Sequence, residues 1–513
     1  MTAIIPAPLR RRRTRRIATA GVSLALSAAL LSACAPGTDS ASGGAAAADT
    51  IVVGSTISIR ALNPLDMQYQ TAQYNAFESL VRIIGGSDPE PGLATEWNRV
   101  DDTTWDFTLR EGVTFHDGTP LTVDDVVFSF TEILEESFVT ASVLTGIDAV
   151  SALDDSTVRI TTKGPDALLL NAVGQVSIVP KALYEQLGPD GFAAAPVGTG
   201  PYRIGEFDLN TGVMFHAYEG YWGEAPKTPN IDLRYFSDPT SLASALESGQ
   251  VDVAHQLGIQ AIKTVGTNPN FVLTNEFGGS QNMMQFNSVS GPFADERVRE
   301  AANAAINIDE LIEALTYGAG QKEDGQLPLE AINGYTDTIT RPAYDPEKAK
   351  RLLAEAGAEG AQIKLAGLSM YKSLLEAVGA QLAEVGFAPT VETLEIAVWS
   401  QQLREGSSAD IFYKGLGYVG MYDADRPFSQ LARGSAPMVA DPAWDALYQA
   451  TRTELDEDER RKTIAEASEY VHDKDFVLWT YSSPSIGATT TSISGMDFTS
   501  GLMVLFDDAV KTS

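Results

Sequence analysis

The cysteine content restricts most strongly how this chain can be held together, because Cys34 is the only cysteine among 513 residues. No disulfide can form within the chain, so its folded part depends on packing and hydrogen bonds. About 480 residues follow this cysteine, and at ~150 residues per domain they predict two to four domains. The histidines form no HExxH motif and there is no CxxC motif, so the sequence predicts no metal site and no cofactor.

The N-terminus has the three parts of a secretory signal peptide. Six arginines lie before Ile17, an uncharged and largely apolar run follows over 17–33, and small residues precede Cys34. This run is shorter than the ~20 strongly apolar residues of a membrane span. Leu31-Ser32-Ala33-Cys34 resembles the lipobox of bacterial lipoproteins, which implies cleavage after residue 33 and lipidation of the Cys34 sulfur. The alternative is an ordinary signal peptide that ends at a cysteine by chance.

Residues 34–49 are almost entirely small or polar, a composition that cannot bury enough apolar surface to fold. We therefore predict a flexible linker between the lipid and the first domain. With 1–33 as signal peptide, the protein is expected to be extracytoplasmic. It would be anchored to the cell membrane by lipid on Cys34 alone.

The charge is strongly negative after the signal peptide. All six arginines of that segment are removed with it, which leaves 30 basic and 68 acidic side chains and a net charge of −38. A surface of this charge repels nucleic acid and anionic lipid headgroups, so neither is an expected partner.

Local patterns predict alternating helices and strands. Thr122-Val123-Asp124-Asp125 has the form of a capping box, and Asp238-Pro239 and Asp345-Pro346 are typical helix starts. Helices are also predicted over 74–84 and, in one Ala-rich region, over 295–317. Strands such as 105–109 and 157–161 lie between the helical patterns, which indicates a mixed α/β protein.

Several stretches resemble, in order and spacing, the extracellular solute-binding proteins of peptide- and nickel-type ABC importers, known as family 5. They are Leu93–Trp97, Trp105–Thr122, Gly198–Tyr202, Tyr221–Gly223, Leu246–Asp252, Val298–Ala301 and Asp345–Ala349. The resemblance implies an α/β, two-lobed fold of the type II periplasmic-binding-protein kind, with an extra inserted domain and a ligand cleft between the lobes. Lobe I would comprise 50–82, 196–283 and 488–513, the inserted domain 83–195, and lobe II 284–487.

The resemblance also implies which segments line the cleft: the start of lobe I, the segment before Asn287, and the loop after a strand near residue 412. Gly420 stands where peptide-binding members commonly place an acidic residue that pairs with a ligand ammonium, so Asp423 or Asp425 would have to supply that charge. The candidate ligand-binding residues are Tyr69, Tyr74, Gln281, Asn282, Met283, Asn287, Trp399, Tyr418, Tyr422, Asp423 and Asp425.

The implied function is that of a monomeric receptor, not an enzyme, which binds a ligand in the cleft and delivers it to the permease subunits of an ABC importer. A peptide is the favoured ligand. An oligosaccharide, a metal chelate or another small metabolite is the alternative, which the tyrosines and the missing amine-binding acid would suit. A surface-anchored hydrolase is a rival of another class, but the sequence offers no clustered nucleophile and base for it.

Overall fold

The described part of the chain is 49–66, 71–83, 88–136, 138–277, 280–330, 332–417, 423–432, 437–498 and 503–512 of a computed structural model. The predicted signal peptide, Cys34 and nearly all of the predicted linker lie outside these residues. Within them, the strands are β1 Thr50–Ser55, β2 Val81–Arg82, β3 Glu90–Pro91, β4 Ala94–Asp101, β5 Thr104–Leu109, β6 Ile147–Ala152, β7 Thr157–Thr162, β8 Tyr202–Asp208, β9 Gly212–Ala217, β10 Asn230–Tyr235, β11 Val253–Leu257, β12 Phe271–Glu276, β13 Ser280–Gln281, β14 Met284–Phe286, β15 Gln321–Lys322, β16 Gln362–Leu368, β17 Ala388–Leu394, β18 Ile411–Tyr413, β19 Leu416–Gly417, β20 Val477–Leu478, β21 Tyr481–Ser482, β22 Ser485–Thr490, β23 Ile493–Ser494 and β24 Val510–Lys511.

The helices in the same ranges are α1 Thr71–Ala76, α2 Val123–Glu136, α3 Leu169–Val173, α4 Lys181–Ala194, α5 Pro239–Glu247, α6 Ala261–Thr264, α7 Glu296–Ala304, α8 Ile308–Thr316, α9 Pro346–Ala356, α10 Lys372–Glu384, α11 Ile396–Glu405, α12 Asp425–Ala432, α13 Pro442–Thr453 and α14 Glu457–Asp473. Short 3₁₀ turns occur at Pro64–Asp66, Val139–Val143, Pro292–Ala294 and Ser369–Tyr371.

Three larger sheets organise the described strands. The first sheet has the order β12-β22-β11-β1-β10-β9-β8, with β1 parallel to β10 and β11. The second has the order β17-β16-β18-β14-β20, with β16 parallel to β17 and β18 and with β14 antiparallel to both of its neighbours. The third is the antiparallel sheet β4-β5-β7-β6.

The chain passes between the first and second sheets twice. It leaves β12 of the first sheet to reach β14 of the second, and it returns from β20 to β22. We call 277–283 and 479–484 the two crossing segments. The third sheet, formed within 94–162, shares one hydrophobic cluster with α12–α14, since Phe107 and Trp444 both belong to it.

Most predicted helix starts are confirmed, and their side-chain bonds explain them. Thr122 and Asp125 form the capping box: the Asp125 carboxylate accepts from Thr122 N at 2.9 Å, and the Thr122 hydroxyl accepts from Asp125 N at 3.4 Å. Asp238 accepts from the first free N–H groups of α5, and Asp345 does the same for α9.

Two helix predictions are wrong, each for a tertiary or local reason. The predicted helix 74–84 ends at Ala76, because the buried Asn75 side chain pairs with the C-terminal segment, donating to Val504 O at 2.7 Å and accepting from Phe506 N at 3.0 Å. The region 295–317 is split into α7 and α8, because Asn307 leaves the helical conformation and caps α8.

Candidate functional site

The carboxyl edge of the second sheet is the candidate site. The parallel strands β16, β17 and β18 all end there, at Leu368, Leu394 and Tyr413. In open α/β sheets, ligands bind outside the carboxyl ends of such strands, because the loops that follow them converge at one edge. The antiparallel strand β14 begins at this edge, so the first crossing segment lies beside it.

Parts of two segments implied as cleft-lining are paired at this edge. β13 and β19 form an antiparallel ladder in which Ser280 opposes Gly417 and Gln281 opposes Leu416. The segment before Asn287 and the loop after residue 412 therefore lie side by side.

Asn282 connects both crossing segments to the second sheet. Its side-chain Nδ2 donates to Tyr481 O at 2.8 Å and to Ser483 Oγ at 3.3 Å, and both partners belong to the second crossing segment. Its Oδ1 accepts from the hydroxyl of Tyr413 at 2.9 Å. All three side-chain contacts of this amide are polar, so Asn282 fixes the relative positions of the two crossings.

Tyr413 is a site residue that the sequence analysis missed. It is fully buried, its ring lies 4.3 Å from that of Tyr371, and its carbonyl oxygen accepts from Trp399 Nε1 at 2.8 Å. As the last residue of a short apolar strand, Tyr413 looked like core. The sequence feature that could have identified Tyr413 as a candidate is its position at the end of the predicted strand, at the edge where the candidate site lies.

An apolar surface lies next to this network. Ile396, Trp399 and Leu403 share one face of α11; Trp399 and Leu403 pack on the sheet, whereas Ile396 in the first turn is 70% exposed. Met370, which follows β16 as Ile396 follows β17, is 78% exposed. Large exposed apolar side chains that adjoin a polar network are typical of a binding surface.

Glu323 is a buried carboxyl group at the crossings. It accepts from Thr480 N at 3.2 Å, and it is 1% exposed. Burial raises the pKa of Glu323 from an ordinary 4.5 to about 7, and hydrogen bonds from the backbone of Thr480 and Asn282 offset this only in part.

This pKa predicts that Glu323 makes stability depend on pH. Between pH 4.5 and 7 the folded protein keeps a proton that the unfolded chain has released, so the free energy of unfolding falls as pH rises through this window. Glu323→Gln removes that loss. The quantity to compare is the unfolding free energy of the variant minus that of the natural protein. We expect this difference to be larger at pH 8 than at pH 4.5, by at most about 3 kcal/mol, as measured by urea unfolding. The exposed Glu313→Gln is the control and should show no such trend.

Asp423 is held in a buried ion pair. Arg460 Nη1 and Nη2 each lie 2.7 Å from one of its carboxylate oxygens, and Asn333 Nδ2 donates to it at 3.2 Å. The side chains of Asp423 and Arg460 are 2% and 8% exposed. Both oxygens already have cationic partners, which favours a structural role over contact with a ligand ammonium.

Asp425 also lies beside an arginine. Arg452 Nη1 is 3.3 Å from its Oδ1, and burial raises the pKa of Asp425 despite this neighbour. Asp423 and Asp425 therefore belong to the cluster formed with α13 and α14, and among the described residues no hydrogen bond joins them to the Asn282 network.

The other candidate residues occupy varied positions. Gln281 Nε2 donates to Gln326 O at 3.4 Å, Met283 is fully buried in the cluster shared with the third sheet, and Asn287 Oδ1 accepts from the backbone of Val289 and Ser290. Tyr69, Tyr418 and Tyr422, and the side chain of Tyr74, lie outside the described residues.

Among the described residues, no group of three or more histidine, cysteine, aspartate or glutamate side chains is placed to hold a metal ion. No helix in the same ranges combines the length and apolar character that a membrane crossing needs.

Comparison with known proteins identifies the architecture. The family model for bacterial extracellular solute-binding proteins, family 5 Middle, matches residues 88–437. Heme-binding protein A of Haemophilus influenzae is 28% identical over 447 residues, covering 79% of this chain and 81% of the relative. The dipeptide-binding protein of Escherichia coli is 26% identical over 448 residues, covering 79% and 83%.

Solved structures share the fold. The periplasmic binding protein DppA of Helicobacter pylori, in complex with the peptide STSA, aligns with a TM-score of 0.74 at 23% identity, covering 90% of this chain and 98% of that one. The predicted two-lobed α/β fold is thereby confirmed.

Proposed function

The chain belongs to the family-5 bacterial extracellular solute-binding proteins, and on this basis we propose that it captures a solute outside the cytoplasm and delivers it to the permease of an ABC importer. It acts as a monomeric receptor and catalyses no reaction. Closure of the lobes over the ligand would follow from tighter binding to the closed state. The lobe and insert boundaries stated above are part of this proposal.

The observation that carries the proposal is the surface at the carboxyl edge of the second sheet. Exposed Met370 and Ile396 follow the carboxyl ends of β16 and β17, the edge at which Tyr413 ends β18 and bonds to Asn282. A peptide has both features that this surface matches, since its backbone amides can meet polar groups while its apolar side chains cover the exposed ones. The names of the E. coli and H. pylori relatives favour the same ligand class.

A planar ligand such as heme is the second candidate. The Haemophilus relative is named for heme binding, and aromatic residues gather at the site, where the rings of Tyr371 and Tyr413 are 4.3 Å apart. The ion pairs of Asp423 and Asp425 also favour this candidate over a peptide. Both carboxylates already pair with arginines, so they do not supply the carboxylate that would bind the ammonium group of a peptide.

The proposal includes attachment to the membrane. Cleavage after residue 33 and a lipid on Cys34 would hold the protein outside the plasma membrane, with 34–49 as linker. Mass spectrometry of the membrane fraction tests this: a Cys34→Ser variant should lose the lipid mass and appear in the soluble extracytoplasmic fraction. Unchanged membrane retention of that variant would contradict it.

Native mass spectrometry of the purified protein tests the ligand class. We expect a bound mass that fragments into amino acids. Porphyrin fragments would select the second candidate, and hexose losses, or a metal isotope pattern without porphyrin fragments, would exclude both. Ile396→Asp should then raise the Kd for the identified ligand about tenfold or more, because a charge replaces an apolar contact. Val272→Asp in β12 is the control, since Val272 is 51% exposed and belongs to the first sheet. Equal effects of the two substitutions would dismiss this surface as the site.

A further inference from the structure

A small cavity lies where α1, the third-sheet region and the C-terminal segment meet. Its volume is about 70 Å³, and its lining includes Gln73, Glu78, Arg82, Trp222 and Asp507. We call it the junction cavity. It is separate from the candidate solute site, because none of its lining residues belongs to the second sheet or the crossing segments.

The junction cavity contains one more acid than base. Arg82 Nη2 lies 3.3 Å from Asp507 Oδ2, which balances one carboxylate. Glu78 is held by neutral donors, with Tyr221 OH at 3.1 Å and Trp222 Nε1 at 2.9 Å. Burial raises the pKa of Glu78 to about 7, with Arg82 only a minor opposing influence. Above that pH the ionised Glu78 is a second negative charge in the lining, and Arg82 is already paired with Asp507.

Two acceptor atoms in the lining have no partner. Gln73 is 4% exposed; its Nε2 donates to Gln175 O at 3.0 Å, whereas within the described residues its Oε1 accepts no hydrogen bond. The same holds for Asp507 Oδ1. A buried acceptor left without a donor is costly, and native proteins rarely leave one unfilled. These atoms therefore indicate a bound donor.

Size and shape limit what that donor can be. A water molecule takes about 30 Å³ of liquid, and a cavity of about 150 Å³ is needed for benzene, so 70 Å³ suits an ion or a group of two to four heavy atoms. The lining also has an apolar part, formed by Phe77, Ile83, Pro91 and Pro201, in addition to Ser79 and Ser177. A short alkyl chain could lie against it.

We propose that the junction cavity binds an ammonium group, either NH₄⁺ or the head of a short primary amine. Its N–H bonds are directed at Gln73 Oε1, Asp507 Oδ1 and the Glu78 carboxylate, and its charge balances the second acid. Binding there stabilises the junction between the first sheet and the inserted region. It does not depend on the proposed solute.

Thermal unfolding of the full chain in ammonium chloride tests this binding. Ionic strength is kept constant with tetramethylammonium chloride, which has the same charge but no N–H group and does not fit the cavity. We expect Tm to rise by about 2 °C at ammonium concentrations ten times the Kd. A proton signal of bound ¹⁵NH₄⁺ that exchanges slowly with water should appear under the same conditions.

Two variants and a matched control locate the effect. Gln73→Met removes the free acceptor and Asp507→Asn, at a partly exposed position, removes the charge; both should abolish the ammonium response. Gln285→Met is the control, because Gln285 is also a buried amide whose side-chain atoms have no hydrogen-bond partner among the described residues, but it lies in β14, away from the cavity. Its response should equal that of the natural protein. Equal Tm values in the two salts, or an unchanged response in Asp507→Asn, would overturn the proposal and assign the cavity to water.

Discussion

Replacing Arg460 with methionine is expected to lower the free energy of unfolding by about 3–5 kcal/mol. The guanidinium makes two 2.7 Å bonds to the Asp423 carboxylate, and both side chains are less than one-tenth exposed. Methionine fills much of the space but leaves Asp423 buried without a counter-charge. The loss reflects that uncompensated charge rather than the net contribution of the pair.

Urea unfolding followed by circular dichroism measures this loss, and Arg461→Met is the matched control. Arg461 is the next residue of α14 and is half exposed. Its ion-pair partners within the described residues are exposed Glu457 and Asp458, so its replacement should cost less than about 1 kcal/mol. Adding Asp423→Asn to Arg460→Met removes the buried charge and should recover part of the loss. Similar losses for Arg460→Met and Arg461→Met would show that the pair is not formed in solution.

The Asp423 case illustrates what the sequence could not give. The loop after residue 412 stays a predicted part of the site, and β19 within it pairs with the first crossing segment. Whether an aspartate in that loop meets a ligand or an arginine depends on a partner 37 positions away in α14. Local pattern contains no information on such a pairing, whereas helix starts such as Asp238 and Asp345 are set by atoms within three residues.

The difference between local and long-range contacts also explains which parts of the fold were predicted. The order of family-like stretches was sufficient for the two-lobed architecture, because each stretch is short and continuous in the sequence. The end of α1 was not predictable, since Asn75 is bound by residues about 430 positions later. Tyr413 was missed for a similar reason: its partners Asn282 and Tyr371 come from other parts of the chain.

Replacing Asn282 with alanine is expected to lower the free energy of unfolding by about 2–6 kcal/mol. The substitution removes the hydrogen bonds of this amide to two buried groups, the hydroxyl of Tyr413 and the carbonyl oxygen of Tyr481, at about 1–3 kcal/mol each. These groups belong to β18 and to the second crossing segment. The substitution therefore weakens the connection between the first and second sheets. Asn287→Ala is the control, since its bonds to Ser290 and Val289 lie in one exposed loop.

A double-mutant cycle with Tyr413→Phe separates this structural role from ligand binding. If Asn282 holds the crossings together, Tyr413→Phe should cost less in the Asn282→Ala background than in the natural protein, with a coupling of about 0.5–3 kcal/mol. If Asn282 serves only the ligand, the unfolding free energy should stay constant and the Kd alone should rise. A fall in both would mean that one amide positions the lobes and contacts the solute, so that binding and closure depend on the same three hydrogen bonds.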